Sequence, residues 1–416
     1  MPLIGWTPKS RAISCGFGVS KYGAQQSTDP WQPNCGNGVT PGGADVTGND
    51  PTDTSLAITP TFVQDWISHL QGRYGTAASG GVRFYNLDNE PMLWNDTHRD
   101  VHPNPTSYDE MKTRTQAYGA AIKAADPAAL TLGPAAWGWT GYFWSALDAA
   151  PGGAWWNNPQ DRLAHGNVPF IEWYLQQMRA YEQQHGTRIL DYVDLHYYPQ
   201  ASGVALSTAG GAATQALRLR STRSLWDPTY VDESWIGEAV RLVPRMRDWV
   251  ATSYPGTKTA MTEYNWGGLE HINGALAQAD VLGILGREGM DLATLWSPPT
   301  ASQPGAYAFR MYRNYDGAGS RFGDVSVQSR SDDQAQLAVY GAERTSDGAL
   351  TLMIVNKTGT PLTSHVSLAG FAAGATAQQW RYSASSATTI VHAADLAVSP
   401  AGTAAIDATF PASSIT

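Results

Sequence analysis

The sequence predicts an α/β chain in two parts: a parallel sheet covered by helices over residues 1–315, in the manner of a (β/α) barrel, and an all-β sandwich over residues 316–416. Three observations carry this. Short apolar segments alternate with longer helical patterns up to residue 315, as expected where each strand is buried on both faces. Beyond that point the long helical patterns stop, and Ser, Thr, Ala and Gly join short alternating strands. A length of 416 residues accommodates one large barrel and a smaller companion domain.

The strand candidates of the first part are PLIGW (2–6), VRFYNL (82–87), LTLGPAAW (130–137), LDYVDLHYY (190–198), KTAMTEY (258–264) and LATLW (292–296). Helices are expected near 60–73, 107–125, 169–185, 235–252 and 275–287. Ser107 supplies a start and Asp126-Pro127 a stop for the second of these. The fourth places Ile236, Val240, Val243 and Val250 on one stripe, with Pro244 expected to kink it. In the second part the strands are LAVYGAE (337–343), LTLMIVN (350–356), HVSLAGF (365–371) and AAIDATF (404–410). There is no internal repeat.

Composition narrows the partners. A net charge of −9 argues against nucleic acid, which demands basic patches. No apolar run approaches a membrane span of about 20 residues, so no membrane partner is expected. The 16 Trp and 19 Tyr favour a carbohydrate ligand, because flat aromatic faces stack on sugar rings. The opening MPLIGWTPKS lacks the charged and apolar regions of a secretory signal. The chain therefore either stays inside the cell or is secreted on a signal outside this sequence, and the function developed below favours secretion. Cys15 and Cys35 flank a Gly/Pro/Asn-rich loop, where a disulfide is expected and two unrelated thiols are the alternative. A monomer is expected.

The chemistry lies at the strand ends. RFYNLDNEPMLWND (83–96) begins as a strand and then delivers Asp88, Asn89 and Glu90 in a row. The fourth candidate strand runs Asp194-Leu195-His196-Tyr197-Tyr198, the fifth ends Thr262-Glu263-Tyr264-Asn265-Trp266, and the sixth ends Trp296-Ser297. Barrel active sites form where the strands end. Asp194, His196 and Tyr198 alternate, so they share one face of their strand, expected to point toward Glu90 and Glu263. A single acid at a strand end is most simply a cap or turn residue; four polar strand ends together indicate a site. Two carboxylates across a cleft suit glycosidic cleavage: one delivers a proton to the leaving oxygen, while the other, ionised, attacks the anomeric carbon or activates water. Asn89 can bond the sugar 2-hydroxyl, and His196, Tyr198 and Tyr264 complete the polar lining. Trp137, Trp266 and Trp296 are expected as sugar platforms, with core packing the alternative for each.

LDNEPMLWNDTHRDVHP and MTEYNWGG resemble signatures of glycoside hydrolase family 44, bacterial β-1,4-glucan endo-hydrolases, and PLIGW, GNDPTDTS and DLHYYP are similar too. The resemblance spans most of residues 2–300 in order. It implies a (β/α)8-type TIM barrel with a β-sandwich and a retaining mechanism. Glu90 of Asn-Glu-Pro is then the general acid/base and Glu263 of Thr-Glu-Tyr the nucleophile. It also implies a departure. PLIGW is similar to the family's third strand, so the first two strand–helix units lie outside this sequence and the barrel is incomplete at its N-terminus. FPASSIT resembles the opening of the sandwich's last strand. An open sheet with PLIGW and LATLW at its two lips is expected.

The remaining signals are weaker. His98 and His102 are spaced i, i+4 in a proline-rich loop without the zinc-protease glutamate. There is no Gly-x-Ser-x-Gly elbow and no phosphate loop. Asp45, Asp50 and Asp53 can hold a structural calcium or serve as solvated turn acids; no cofactor is required. The expected function is a retaining endo-β-1,4-glucanase acting on cellulose-type glucans or xyloglucan. The rivals are a carbohydrate-binding protein without turnover and a mannanase or xylanase sharing the same glutamates.

Overall fold

The structure, a computed structural model, describes residues 1–10, 15–399 and 403–416. The chain forms two compact units, Met1–Tyr197 with Arg247–Thr262, and Tyr198–Met246 with Glu263–Thr416.

A five-stranded sheet takes the order Phe84–Asn86, Leu130–Ala136, Tyr192–Tyr197, Lys258–Tyr264 and Leu292–Leu295. The register is parallel between Phe84–Asn86 and Leu130–Leu132, and again between Leu132–Ala136 and Tyr192–Leu195. The chain leaves the first unit inside the fourth strand, between Thr262 and Glu263. Tyr192–Tyr197, the central strand of the five, is buried along its whole length. The helix Tyr108–Ala125 starts where the Ser107 hydroxyl accepts the Glu110 N–H at 3.2 Å. Its buried residues Met111, Thr115, Tyr118, Gly119 and Ile122 recur at helical spacing and meet the strand Leu130–Ala136 and the helix Phe170–His185. A Cβ on Gly119 would stand 2.9 Å from the Ile189 carbonyl oxygen, so this close approach requires glycine.

Two sequence expectations are corrected here. PLIGW is not a strand of the parallel sheet. Its Leu3 and Gly5 N–H groups close turns onto Met1 and Pro2, and Trp6–Pro8 pairs antiparallel with Ser55–Ala57. Pro2 has no N–H to give a ladder and Gly5 sits at φ +80°, so the segment turns instead of extending. LATLW does end the sheet order. The helix expected at 235–252 begins only at Leu242 and runs to Ser253. Pro244 therefore falls in the first turn, where no intrahelical N–H is needed, and the kink loses its cause.

In the second unit one antiparallel sheet has the order Val325–Val327, Leu337–Arg344, Ala349–Asn356, Ser414–Ile415, Thr376–Ser383 and Val391–Ala397. A separate pair joins Leu362–Leu368 to Ala404–Phe410. Ile354, Val398, Ile406, Ala408 and Phe410 form the core between them. Ser414 and Ile415 bond both Val355–Asn356 and Tyr382–Ser383, so the last residues bridge two strands of the large sheet. Together the sheets make an incomplete barrel and a β-sandwich. Within the second unit the helix Ile272–Glu288 carries Asp280, which is buried against the sandwich. Its carboxylate pairs with Lys357 Nζ at 2.9 Å and accepts the hydroxyls of Tyr340 and Thr222 at 2.6 and 2.7 Å.

Cys15 and Cys35 form a disulfide. The three acids weighed as calcium ligands have separate protein partners. Asp45 pairs with Arg99, Asp50 accepts the Thr52 N–H and hydroxyl, and Asp53 takes Lys21 and Tyr22. Their carboxylates are thus occupied as turn and surface acids, not gathered as an oxygen cage. His102 bonds Glu110 and sets its ring edge against Trp94. Among the described residues no helix is long and apolar enough to cross a membrane.

Candidate active site

The first unit explains why a strand ends in Asp88-Asn89-Glu90. Asp88 and Glu90 both adopt left-handed backbone, φ +68° and +45°, which for residues with a Cβ costs about 1–3 kcal/mol each. Local bonds hold the strain. The Asp88 carboxylate accepts the N–H groups of Ile4 at 2.9 Å and Asn89 at 3.0 Å, and the Glu90 N–H reaches the Ala135 carbonyl at 3.1 Å. Burial raises the Asp88 carboxyl above the ordinary aspartate range, with these N–H groups opposing the shift. Asp88 is thus a structural acid that aims its neighbour.

Glu90 ends a chain of hydrogen bonds. Its Oε1 lies 2.8 Å from His196 Nδ1, and His196 Nε2 lies 3.2 Å from the Thr262 hydroxyl. That hydroxyl donates to Asp194 Oδ2 at 2.7 Å, while Asp194 Oδ1 accepts the Thr262 N–H at 3.0 Å. The Thr262 proton is committed to Asp194, so its oxygen accepts from His196 Nε2–H. Through this chain the Glu90 carboxyl is held against the His196 ring, with the ring fixed at both nitrogens. Tyr142 donates to the His196 carbonyl and steadies the strand. Asp194 is fully buried, and burial raises its carboxyl above the usual range against the Thr262 bonds. Asp194 and Thr262 were visible as strand-end residues, but a chain between them cannot be read from either strand alone.

In the second unit Glu263 Oε2 accepts the Tyr198 hydroxyl at 2.8 Å. Trp296, 52% exposed, is fixed by its backbone: its N–H reaches the Tyr264 carbonyl, and its own carbonyl accepts the Asn265 amide. Trp266 is 1% exposed and does not offer a sugar platform; its indole N–H reaches Ser221 and its carbonyl accepts Arg218. Tyr264 is likewise a core residue, accepting the Gln278 amide on its hydroxyl. Both follow from the turn after the strand, where buried Arg218 gathers the carbonyls of Trp266, Ala209 and Thr208. In the first unit Asn89 is exposed, Trp137 is half-buried and His196 is buried. Sequence reasoning missed Trp235, 59% exposed, whose indole donates to Gln200 two residues beyond Tyr198. Its one signal is a large aromatic within the polar run Asp232-Glu233-Ser234.

The profile of glycoside hydrolase family 44 matches residues 1–201. Endoglucanase A of Paenibacillus lautus is 37% identical over 306 residues, covering 71% of this chain and 42% of the relative. The chain thus spans less than half of that curated relative. Among solved structures, CelM2, a bifunctional glucanase-xylanase from a metagenome library, is 45% identical with a TM-score of 0.94, over 100% of this chain and 80% of that one. A Paenibacillus polymyxa xyloglucanase from glycoside hydrolase family 44 is 32% identical with a TM-score of 0.76, over 85% and 69%. This chain belongs to glycoside hydrolase family 44.

Proposed function

We propose that the chain is a retaining endo-β-1,4-glucanase, hydrolysing internal bonds of cellulose-type β-glucans or xyloglucan, with residues 1–315 as its catalytic barrel domain and 316–416 as its sandwich. The observation that carries the reading is the hydrogen-bond chain from Asp194 through Thr262 and His196 to Glu90, which fixes the position of the carboxyl that is to donate the proton. In the first step Glu263 attacks the anomeric carbon, the glycosidic C–O bond breaks, and the Glu90 proton moves to the leaving oxygen. In the second step water attacks that carbon, Glu90 takes the water's proton, and the bond to Glu263 is released. The Tyr198 hydroxyl orients the Glu263 carboxylate. Exposed Trp296 and Trp235 serve as sugar platforms and Asn89 as a partner for a ring hydroxyl. The endoglucanase and xyloglucanase names of the relatives support the substrate class. The disulfide suits secretion into an oxidising compartment.

Leaving-group dependence tests the role assignment. A substrate whose leaving group needs no proton, such as 2,4-dinitrophenyl cellobioside, should retain measurable turnover with Glu90→Gln. Glu263→Gln should abolish turnover on every substrate. Identical behaviour of the two variants across leaving groups would refute the assignment.

A further inference from the structure

A cavity of about 200 Å³ in the first unit has no part in the chemistry above. Its floor is Met92 and Leu93, in the turn that follows Glu90, and its walls are the indoles of Trp137, Trp144 and Trp155. We infer that this cavity is a distal sugar subsite, binding one β-linked hexopyranosyl unit on the leaving-group side of the bond that Glu90 protonates; the inference rests on the glucanase reading.

Four features support it. The wall is built to stay open. Trp144 and Trp155 meet edge to face at 5.3 Å, and the Arg162 guanidinium lies 5.6 Å over the Trp144 ring. A Cβ on Gly141 would stand 2.8 Å from the Trp137 indole, so glycine is what lets that ring lie flat against its helix. The rings are accessible: Trp137, Trp144 and Trp155 are half-buried, unlike Trp139 beneath them at 5% exposure. Polar groups are placed among them. The Asn95 amide and the Thr140 hydroxyl line the same cavity, and neither side chain bonds protein among the described residues. Apolar ring faces with a few unspent hydrogen-bonding groups match a pyranose, whose C–H faces stack while its equatorial hydroxyls need partners. The position follows from the chain: the floor is the turn that begins directly after Glu90, two and three residues on.

Trp155→Ala tests this, because Trp155 lies in an exposed single turn, Trp155–Asn157, and not in the core. The quantity read is the ratio of kcat/KM for cellohexaose to that for 4-nitrophenyl cellobioside, which carries one aromatic ring where cellohexaose carries further sugars. That ratio should fall by about tenfold, as expected for loss of one stacking ring, and Trp155→Phe should recover most of it. Trp66→Ala, on a helix away from the cavity, is the control and should leave the ratio unchanged. Binding is read separately by calorimetry of cellohexaose on Glu263→Gln with and without Trp155→Ala, where Kd should rise by about tenfold. A chain that hydrolyses nothing yet shows this rise sinks the glucanase reading and keeps the subsite. Equal losses on both substrates, or an unchanged Kd, overturn the subsite.

Discussion

Asp194 sits under the site with no exposure to solvent, and its burial has a measurable consequence. Its folded carboxyl titrates above the ordinary 3.8, so between the two values the native state holds a proton that the unfolded chain has lost. Stability from this group is therefore fully present below the unfolded pKa and is lost as pH rises through the folded one. Asp194→Asn removes that loss while keeping an acceptor for the Thr262 N–H. Thermal unfolding of both proteins between about pH 4 and 7 should show the variant gaining on the native chain as pH rises. A constant difference would show that Asp194 does not titrate as its burial requires. At this scale the sequence was a partial guide. Alternation placed Asp194, His196 and Tyr198 on one face, but sequence alone could not separate Trp296, which stays exposed, from Trp266, which folds under. What separates them is Arg218, buried and bonded to the Trp266 carbonyl from a helix 48 residues away in sequence.

Among elements, the legible ones have a strong period and a chemical stop. The helices Pro60–Tyr74, Tyr108–Ala125 and Phe170–His185 lie where the helical patterns put them, the second with the expected start at Ser107 and stop at Asp126. Thr376–Ser383 and Val391–Ala397 escaped notice because they are rich in Gln, Ser, Ala and Asp, and their outer faces meet water. The helix Ile272–Glu288 holds the sandwich through a pair hidden from sequence, Asp280 and Lys357, whose side chains are 1% and 3% exposed. Lys357→Met leaves a buried carboxylate without its cation and should cost about 3–5 kcal/mol in denaturant unfolding of the second unit's transition. The double variant Asp280→Asn, Lys357→Met should lose less than the two single losses added, since neither charge is then stranded. A single loss below about 1 kcal/mol would mean that water reaches the pair.

For the whole molecule, the strand–helix alternation was enough to give a parallel sheet, and the change of pattern near residue 315 gave the sandwich. The sequence did not reveal that the chain crosses between compact units inside one strand, at Thr262–Glu263, because compactness depends on long-range contacts. That crossing gives the proposed roles a testable unity: Thr262 anchors the acid's hydrogen-bond chain, and the next residue is the nucleophile. Double displacement through Glu263 makes one demand that no binding protein or single-displacement enzyme meets, namely that the first sugar released keeps its β configuration. The direct test is proton NMR of the anomeric signals during the first minutes of cellohexaose or xyloglucan hydrolysis by the intact chain. The β-anomer signal should rise first, with the α signal following only as the sugar mutarotates; an α signal that rises first would contradict the mechanism, and no new reducing ends at all would contradict the activity.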